Sequence, residues 1–211
     1  MQYKIDHFAV GADTLEQGVK AMQATLGVEL SVGSKHDLMS THNKVMQSGN
    51  ESFFELIAID PDAPTPSRTR WFTLDDPTTH KRVAERPRAL CWVVGTDDLD
   101  AVVAASPREL GEIVTFTRGD RSWRLTVPAD GHLPGGGLLP AFIEWSPGPH
   151  PSTAHQDLGV TLQSVNLSHP NSESFIKLLQ ALNVDHLATV TQGDAALSFT
   201  LATANGVITI D

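Results

Sequence analysis

The sequence predicts an α+β fold built from two strand–helix–three-strand units and a third, incomplete copy. Three observations carry this. The apolar run from Tyr3 to Val10 opens a stretch that closes on the run from Phe53 to Ile59, with a helix and weaker strands between them. The run Ala89 to Val94 opens the same plan again, and Phe142 to Trp145 closes it. Two stretches rich in Pro and turn-forming residues separate the copies. The resulting division is 1–60 for the first unit, 61–87 for a linker, 88–147 for the second unit, 148–160 for a second linker and 161–211 for the third copy.

In the first unit, Ile5, His7 and Ala9 alternate with Asp6, Phe8 and Val10, as on the two faces of a strand. Asp13 and Thr14 can each cap a helix, with Glu16 and Gln17 three positions on, at capping-box spacing. Leu15, Val19, Met22 and Leu26 form one helical face, and Gly27 ends it. Val28 to Val32 reads as a strand, followed by a polar loop through His42. Lys44 to Met46 is a short strand, and Gly49-Asn50 is a turn before the closing strand. Within 61–87, Trp71 to Leu74 is an apolar island expected to pack on the core.

In the second unit, Ala89 to Val94 is apolar without alternation, as expected for burial on both faces. A helix starts near Thr96-Asp97-Asp98 and carries Leu99, Val102 and Val103. Ile113 to Thr117 and Ser122 to Val127 form a hairpin about Gly119-Asp120. The third copy has a strand at 162–167 and a helix capped by Asn171 or Ser172. Three more strands follow, with an Asn205-Gly206 turn. It is expected to cover an edge of a sheet or support a homodimer.

Composition excludes several classes. The net charge of −10 and the scattered basic residues argue against a nucleic-acid partner. No run of 18 apolar residues is available to span a membrane. The first residues lack signal-peptide character, and the single cysteine, Cys91, has no internal disulfide partner. The expected setting is the reducing cytoplasm, with a small molecule as the partner. The Gly135-Gly136-Gly137 run lacks the Lys-Ser/Thr of a phosphate loop.

Aligning Val10-Gly11 with Val94-Gly95 places Cys91 opposite His7, an offset of 84 (91 − 7). Aligning the closing strands places Glu144 opposite Glu55, an offset of 89 (144 − 55). The third copy has Val165 and Ile210 near the matching positions, which can neither bind a metal nor carry a proton. With this repeat, the motifs Ile5-Asp6-His7, Thr41-His42-Asn43, Phe54-Glu55-Leu56-Ile57, Thr96-Asp97-Asp98-Leu99-Asp100 and Pro140 to Trp145 resemble the glyoxalase-like domain proteins of the vicinal oxygen chelate superfamily. The resemblance covers most of residues 1–149. It implies a cleft in which a divalent ion (zinc, nickel, manganese or ferrous iron) sits on His and Glu side chains. Carried over by position, the ligands are His7, Glu55 and Glu144, and Cys91 replaces the expected second His.

Weighed as residues, His7 is either a bonded, half-buried histidine or a ligand or acid–base group. Glu55 and Glu144 stand on apolar strands, where a carboxylate is costly unless it is paired, hydrogen-bonded or on a metal. Each is therefore a catalytic candidate, or an acceptor for a nearby Trp or Arg. Cys91 reads as a packed apolar side chain before it reads as a ligand. His42, Trp123 and Arg124 are candidate substrate-binding residues. The function these features favour is a metal-dependent lyase or isomerase acting on a small oxygenated metabolite. Glu144 or Glu55 would be its general base and the ion its Lewis acid. A metal-free protein that sequesters a small molecule is the alternative. A ring-cleaving dioxygenase ranks third, because it needs two His and one carboxylate.

Overall fold

The computed structural model describes residues 3–49 and 51–211. The Gly49-Asn50 turn falls partly on Asn50, outside the described residues.

The first unit runs β1 (Lys4–Gly11), α1 (Leu15–Leu26), β2 (Gly33–His36), β3 (Thr41–Gln47) and β4 (Phe53–Ile59). A helix, α2 (Pro77–Glu85), precedes the second unit: β5 (Arg88–Gly95), α3 (Leu99–Ala105), β6 (Glu112–Arg118), β7 (Arg121–Val127) and β8 (Ala141–Trp145). The eight strands form one sheet in the order β2-β3-β4-β1-β5-β8-β7-β6. The opening strands β1 and β5 lie side by side and antiparallel at its middle, and each runs parallel to its own closing strand. Reading outward from the β1–β5 seam gives the same sequence of strands in both directions, so the two units are related by a pseudo-twofold axis. The modules are the strand–helix–three-strand units expected from the repeat.

Local chemistry explains the elements. The Thr14 hydroxyl accepts from the Gln17 N–H, and Gly27 closes α1 in the left-handed region at φ 73. The apolar face of α1 buries Met22 and Leu26. The α2 helix starts on Asp76, whose carboxylate accepts from the N–H groups of Thr78 and Thr79, with Pro77 in the first turn. The expected linker 61–87 therefore contains a helix that an Asp-Pro start signal could have announced. Trp71, Phe72 and Leu74 are buried as expected.

One strand is displaced. The run 28–32 is not a strand, and β2 begins at Gly33, in register with Lys44 of β3. Pairing with β3 decides this strand, and the apolar character of 28–32 does not. The shift draws His36 out of the expected loop and into the sheet.

The third unit keeps the order strand, helix, three strands: β9 (Thr161–His169), α4 (Ser172–Ala181), β10 (Ala188–Gln192), β11 (Ala196–Thr203) and β12 (Gly206–Ile210). Its wiring differs. The strands run β10-β9-β11-β12, and β9 is parallel to the first strand after its helix rather than the last. This sheet covers a face of the large sheet, not an edge as expected. Phe199 packs on Phe8 at 4.9 Å between ring centroids, and Val165, Leu167 and Leu201 join the same core as Phe54, Trp92 and Phe142. The reason is the apolar character of the central strands on both sides, since each side needs a cover. Among the described residues, no helix is long and apolar enough to cross a membrane.

The opposite face carries a second core, in which Ala9, Ile57, Val93, Leu125 and Ile143 meet Trp71 and Phe72. The large sheet curls around this side. Its two edge strands come within reach of each other, and Arg118 at the end of β6 donates to the Ser34 hydroxyl on β2.

Candidate functional site

The curl encloses a cavity of about 320 Å³. This is at the small end of ligand cavities, which run to about 1,000 Å³. Its polar lining includes His7, His36, Asn43, Glu55, Arg118 and His155. Its apolar lining includes Phe53, Trp71, Trp123 and Trp145.

A β-bulge builds the first part of the site. Ile5 pairs with Val94 and His7 with Val93, so Asp6 is an extra residue in β1. Simple alternation would place Ile5 and His7 on one face. The bulge instead sends Ile5 toward the core under the third sheet and brings Asp6 and His7 to the cavity side. Asp6 is 1% exposed and accepts three hydrogen bonds. They come from His7 Nδ1 at 2.6 Å, Trp145 Nε1 at 2.8 Å and His150 Nε2 at 2.9 Å. Burial pushes the Asp6 carboxyl up, but hydrogen bonds from His150 and His7 outweigh burial and hold it down at about 2.

These bonds fix two tautomers. The backbone N–H of Ser152 donates to His150 Nδ1, so the proton of His150 is on Nε2, aimed at Asp6. The ionised Asp6 holds a proton on His7 Nδ1 and so turns Nε2 toward the cavity. Phe53 stacks on the His7 ring at 4.5 Å and sets its plane.

Glu55 stands opposite. Its Oε2 is 3.8 Å from His7 Nε2, and its Oε1 is 3.9 Å from His36 Nε2. Asn43 Nδ2 donates to Glu55 Oε1 at 2.7 Å and lies 3.4 Å from His36 Nε2. Its carbonyl end accepts from the N–H and hydroxyl of Ser34, which settles the amide's orientation. His36 is neutral at neutral pH, because burial pushes its imidazolium down to about 4. His155 is held at about 4 by the same cause.

The structure brings His7, Glu55 and Trp123 to the cavity and leaves Glu144, His42 and Arg124 elsewhere. Glu144 shares the opposite face of β8 with Phe142. It accepts from the N–H of Leu99 at 2.7 Å, at the start of α3. The strand pairing explains this. Ala9 pairs with Glu55 and Val93 with Ala141, so the position equivalent to Glu55 is Ala141. Glu144 is three residues further on, and an odd displacement reverses the face of a strand. His42 alternates with Asn43, and Asn43 is the one that lines the cavity. Arg124 pairs with Asp100 at 2.6 Å, on the face that carries α3.

Cys91 is fully buried, and burial pushes its thiol up to about 12, as expected of a packed side chain. The ligand set His7, Glu55 and Glu144 is therefore not assembled. Among the described residues, no group of three His, Cys, Asp or Glu side chains is placed to hold an ion. Near Glu55 the Asn43 amide intervenes, engaging both Glu55 Oε1 and His36 Nε2. The donor set present does not fit the divalent ion that the fold family implies.

Reasoning from sequence missed Asp6, His36, Asn43, Arg118, His150 and His155. Asn43 was within reach, because it lies in the phase opposite to His42. The others depend on a bulge, a displaced strand and the path of 147–156, none of which has a pattern of its own.

The family model for the glyoxalase-like domain matches residues 5–183. No curated protein matches the sequence. Among solved structures, a hypothetical protein from Staphylococcus aureus matches with a TM-score of 0.62 at 17% identity, covering 99% of this chain and 84% of that one. Methylmalonyl-CoA epimerase from Mycobacterium tuberculosis gives 0.44 at 16% identity, covering 69% of this chain and 89% of that one. A mutant of 4-hydroxymandelate synthase from Streptomyces coelicolor gives 0.48 at 14% identity, covering 98% of this chain and 61% of that one. The first of these likenesses supports the fold.

Proposed function

The chain belongs to the glyoxalase-like domain family of the vicinal oxygen chelate superfamily, and from that premise we propose that it moves a proton on a small oxygenated metabolite held in the cavity, as an isomerase or lyase does. The observation that carries this reading is the buried Asp6–His7 pair, with the free Nε2 of His7 facing Glu55 at 3.8 Å.

The chemistry follows from the tautomer. The His7 Nε2 lone pair takes a proton from carbon next to a substrate carbonyl, and the C–H electron pair passes to the carbonyl oxygen as an enolate. The imidazolium so formed is flanked by two carboxylates, Asp6 on the Nδ1 side and Glu55 on the Nε2 side. Return of the proton to carbon completes an isomerisation, and expulsion of a β-substituent completes an elimination. The aromatic walls exclude water from the enolate. Every group in this scheme belongs to the protein, and it puts His7 in the place of Glu144 or Glu55 as the base.

The test is solvent-deuterium incorporation into a panel of small 2-oxo and 2-hydroxy acids, followed by proton NMR. The parent should catalyse exchange at the carbon next to the carbonyl, and His7→Asn should lose at least a hundredfold of that rate. Ligand binding without exchange in the parent would leave a sequestering protein of the same fold as the better description.

A further inference from the structure

We propose that Arg118 is the specificity-determining residue of the cavity, and that it anchors the carboxylate of a substrate whose apolar or aromatic body lies against Trp123, Trp71 and Trp145. This rests on the cavity being the ligand site, as in the reading above, and it adds the class of ligand.

Four observations converge. Arg118 ends β6, on one rim of the curled sheet, and reaches across the mouth to the Ser34 hydroxyl on β2, the other rim. Its guanidinium carbon lies 5.5 Å from the centroid of the Trp123 ring, which holds the planar group over the apolar wall. Among the described residues, no carboxylate lies within 4.0 Å of it; Arg68, Arg70, Arg86, Arg88 and Arg124 are each paired, and the other arginines without an ion pair, Arg82, Arg108 and Arg121, do not line the cavity. Among the described residues it is also the one Lys or Arg side chain on the cavity lining; the other basic groups there are the imidazoles of His7, His36 and His155, and burial keeps the last two neutral.

A guanidinium with one hydroxyl partner keeps several N–H donors in a planar fork, and that fork matches a carboxylate in two parallel hydrogen bonds. Both Arg118 and Ser34 line the cavity, and the Ser34 hydroxyl, whose own proton goes to Asn43 Oδ1, accepts from Arg118 and steadies the fork at the rim. A phosphate dianion fits less well. It would set about two negative charges near Glu55 with one permanent cation to offset them. The rest of the wall is apolar and aromatic. The ligand class is therefore a monocarboxylate with a flat or branched apolar body, small enough for about 320 Å³.

The test uses matched probes on the full chain: phenylacetate against phenylacetamide and benzoate against benzamide, with phenyl phosphate as a third arm. Three of the four tryptophans line the cavity, so quenching of intrinsic fluorescence reports occupancy, and calorimetry confirms the affinity. The parent is expected to bind each acid at least tenfold more tightly than its amide. Arg118→Gln should remove that preference while leaving amide affinity within about twofold, and Arg118→Lys should restore part of it. Equal affinity for acids and amides in the parent, absence of binding by both acids, tighter binding of phenyl phosphate than of phenylacetate, or an acid preference that survives Arg118→Gln each overturns the assignment. His7→Asn separates the two readings. It should keep the acid preference while losing deuterium exchange. Exchange without an acid preference sinks only the Arg118 anchor, and an acid preference without exchange sinks only the proton-transfer reading.

Discussion

Replacing Asp6 by Asn tests the core of the site in a single change of charge. Asp6 is 1% exposed and takes hydrogen bonds from three donors at 2.6, 2.8 and 2.9 Å. Its carboxyl is held at about 2 against an ordinary 3.8. That difference corresponds to about 2 kcal/mol of stability carried by the ionised form, at about 1.4 kcal/mol per pH unit. An Asn amide keeps the shape but turns an NH₂ toward at least one of the three donors. This leaves a buried donor without an acceptor and costs about 1 kcal/mol or more in addition. The expected loss is about 3 kcal/mol at pH 7, measured by urea denaturation. The sign of the pH dependence is fixed. Because the folded pKa is depressed, the contribution is complete above about pH 4 and disappears as pH falls through about 2. The parent should lose stability across that window more steeply than Asp6→Asn. A loss below about 1 kcal/mol, or parallel pH curves for the two proteins, would refute the account of Asp6 as a buried anion that orients His7.

Four further outcomes follow from the packing. Glu144→Gln removes a charge from a half-exposed group bonded to the start of α3, so it should cost about 1 kcal/mol in urea and leave ligand affinity and deuterium exchange unchanged. Phe199→Ala opens a cavity between the two sheets, at a side chain that is fully buried against Phe8. It should cost about 3–5 kcal/mol in urea, and a truncation after Ser152 should aggregate because it uncovers that face. The Cys91 thiol, buried and pushed up to about 12, should resist alkylation by iodoacetamide at pH 8 in the folded protein and react fully in urea.

The sequence by itself determined the strand–helix–three-strand order of each unit, the repeat and the family, because these rest on local patterns, while α2 and the place of β2 escaped it. Thr14 and Gly27 bracket α1, Asn171 caps α4, and the strands β4 and β5 are legible as apolar runs. It also singled out His7, Glu55 and Trp123, which line the cavity, though not the faces that bring them there. Which residues converge on the site was decided by tertiary structure, and the reason is parity. A strand has a period of two, so any single-residue event reverses every face beyond it. The bulge at Asp6 delivers both Asp6 and His7 to the cavity side, although alternation places them apart. A displacement of three residues between the closing strands carries Glu144 to the far face, where it accepts from the first N–H of α3. His36 and Arg118 come from opposite rims and meet the site because the sheet curls, and His150 and His155 arrive from a segment that reads as linker. Curl and chain path are set by pairing between distant strands and by burial of both faces of the central pair. No local stretch of the sequence encodes either one.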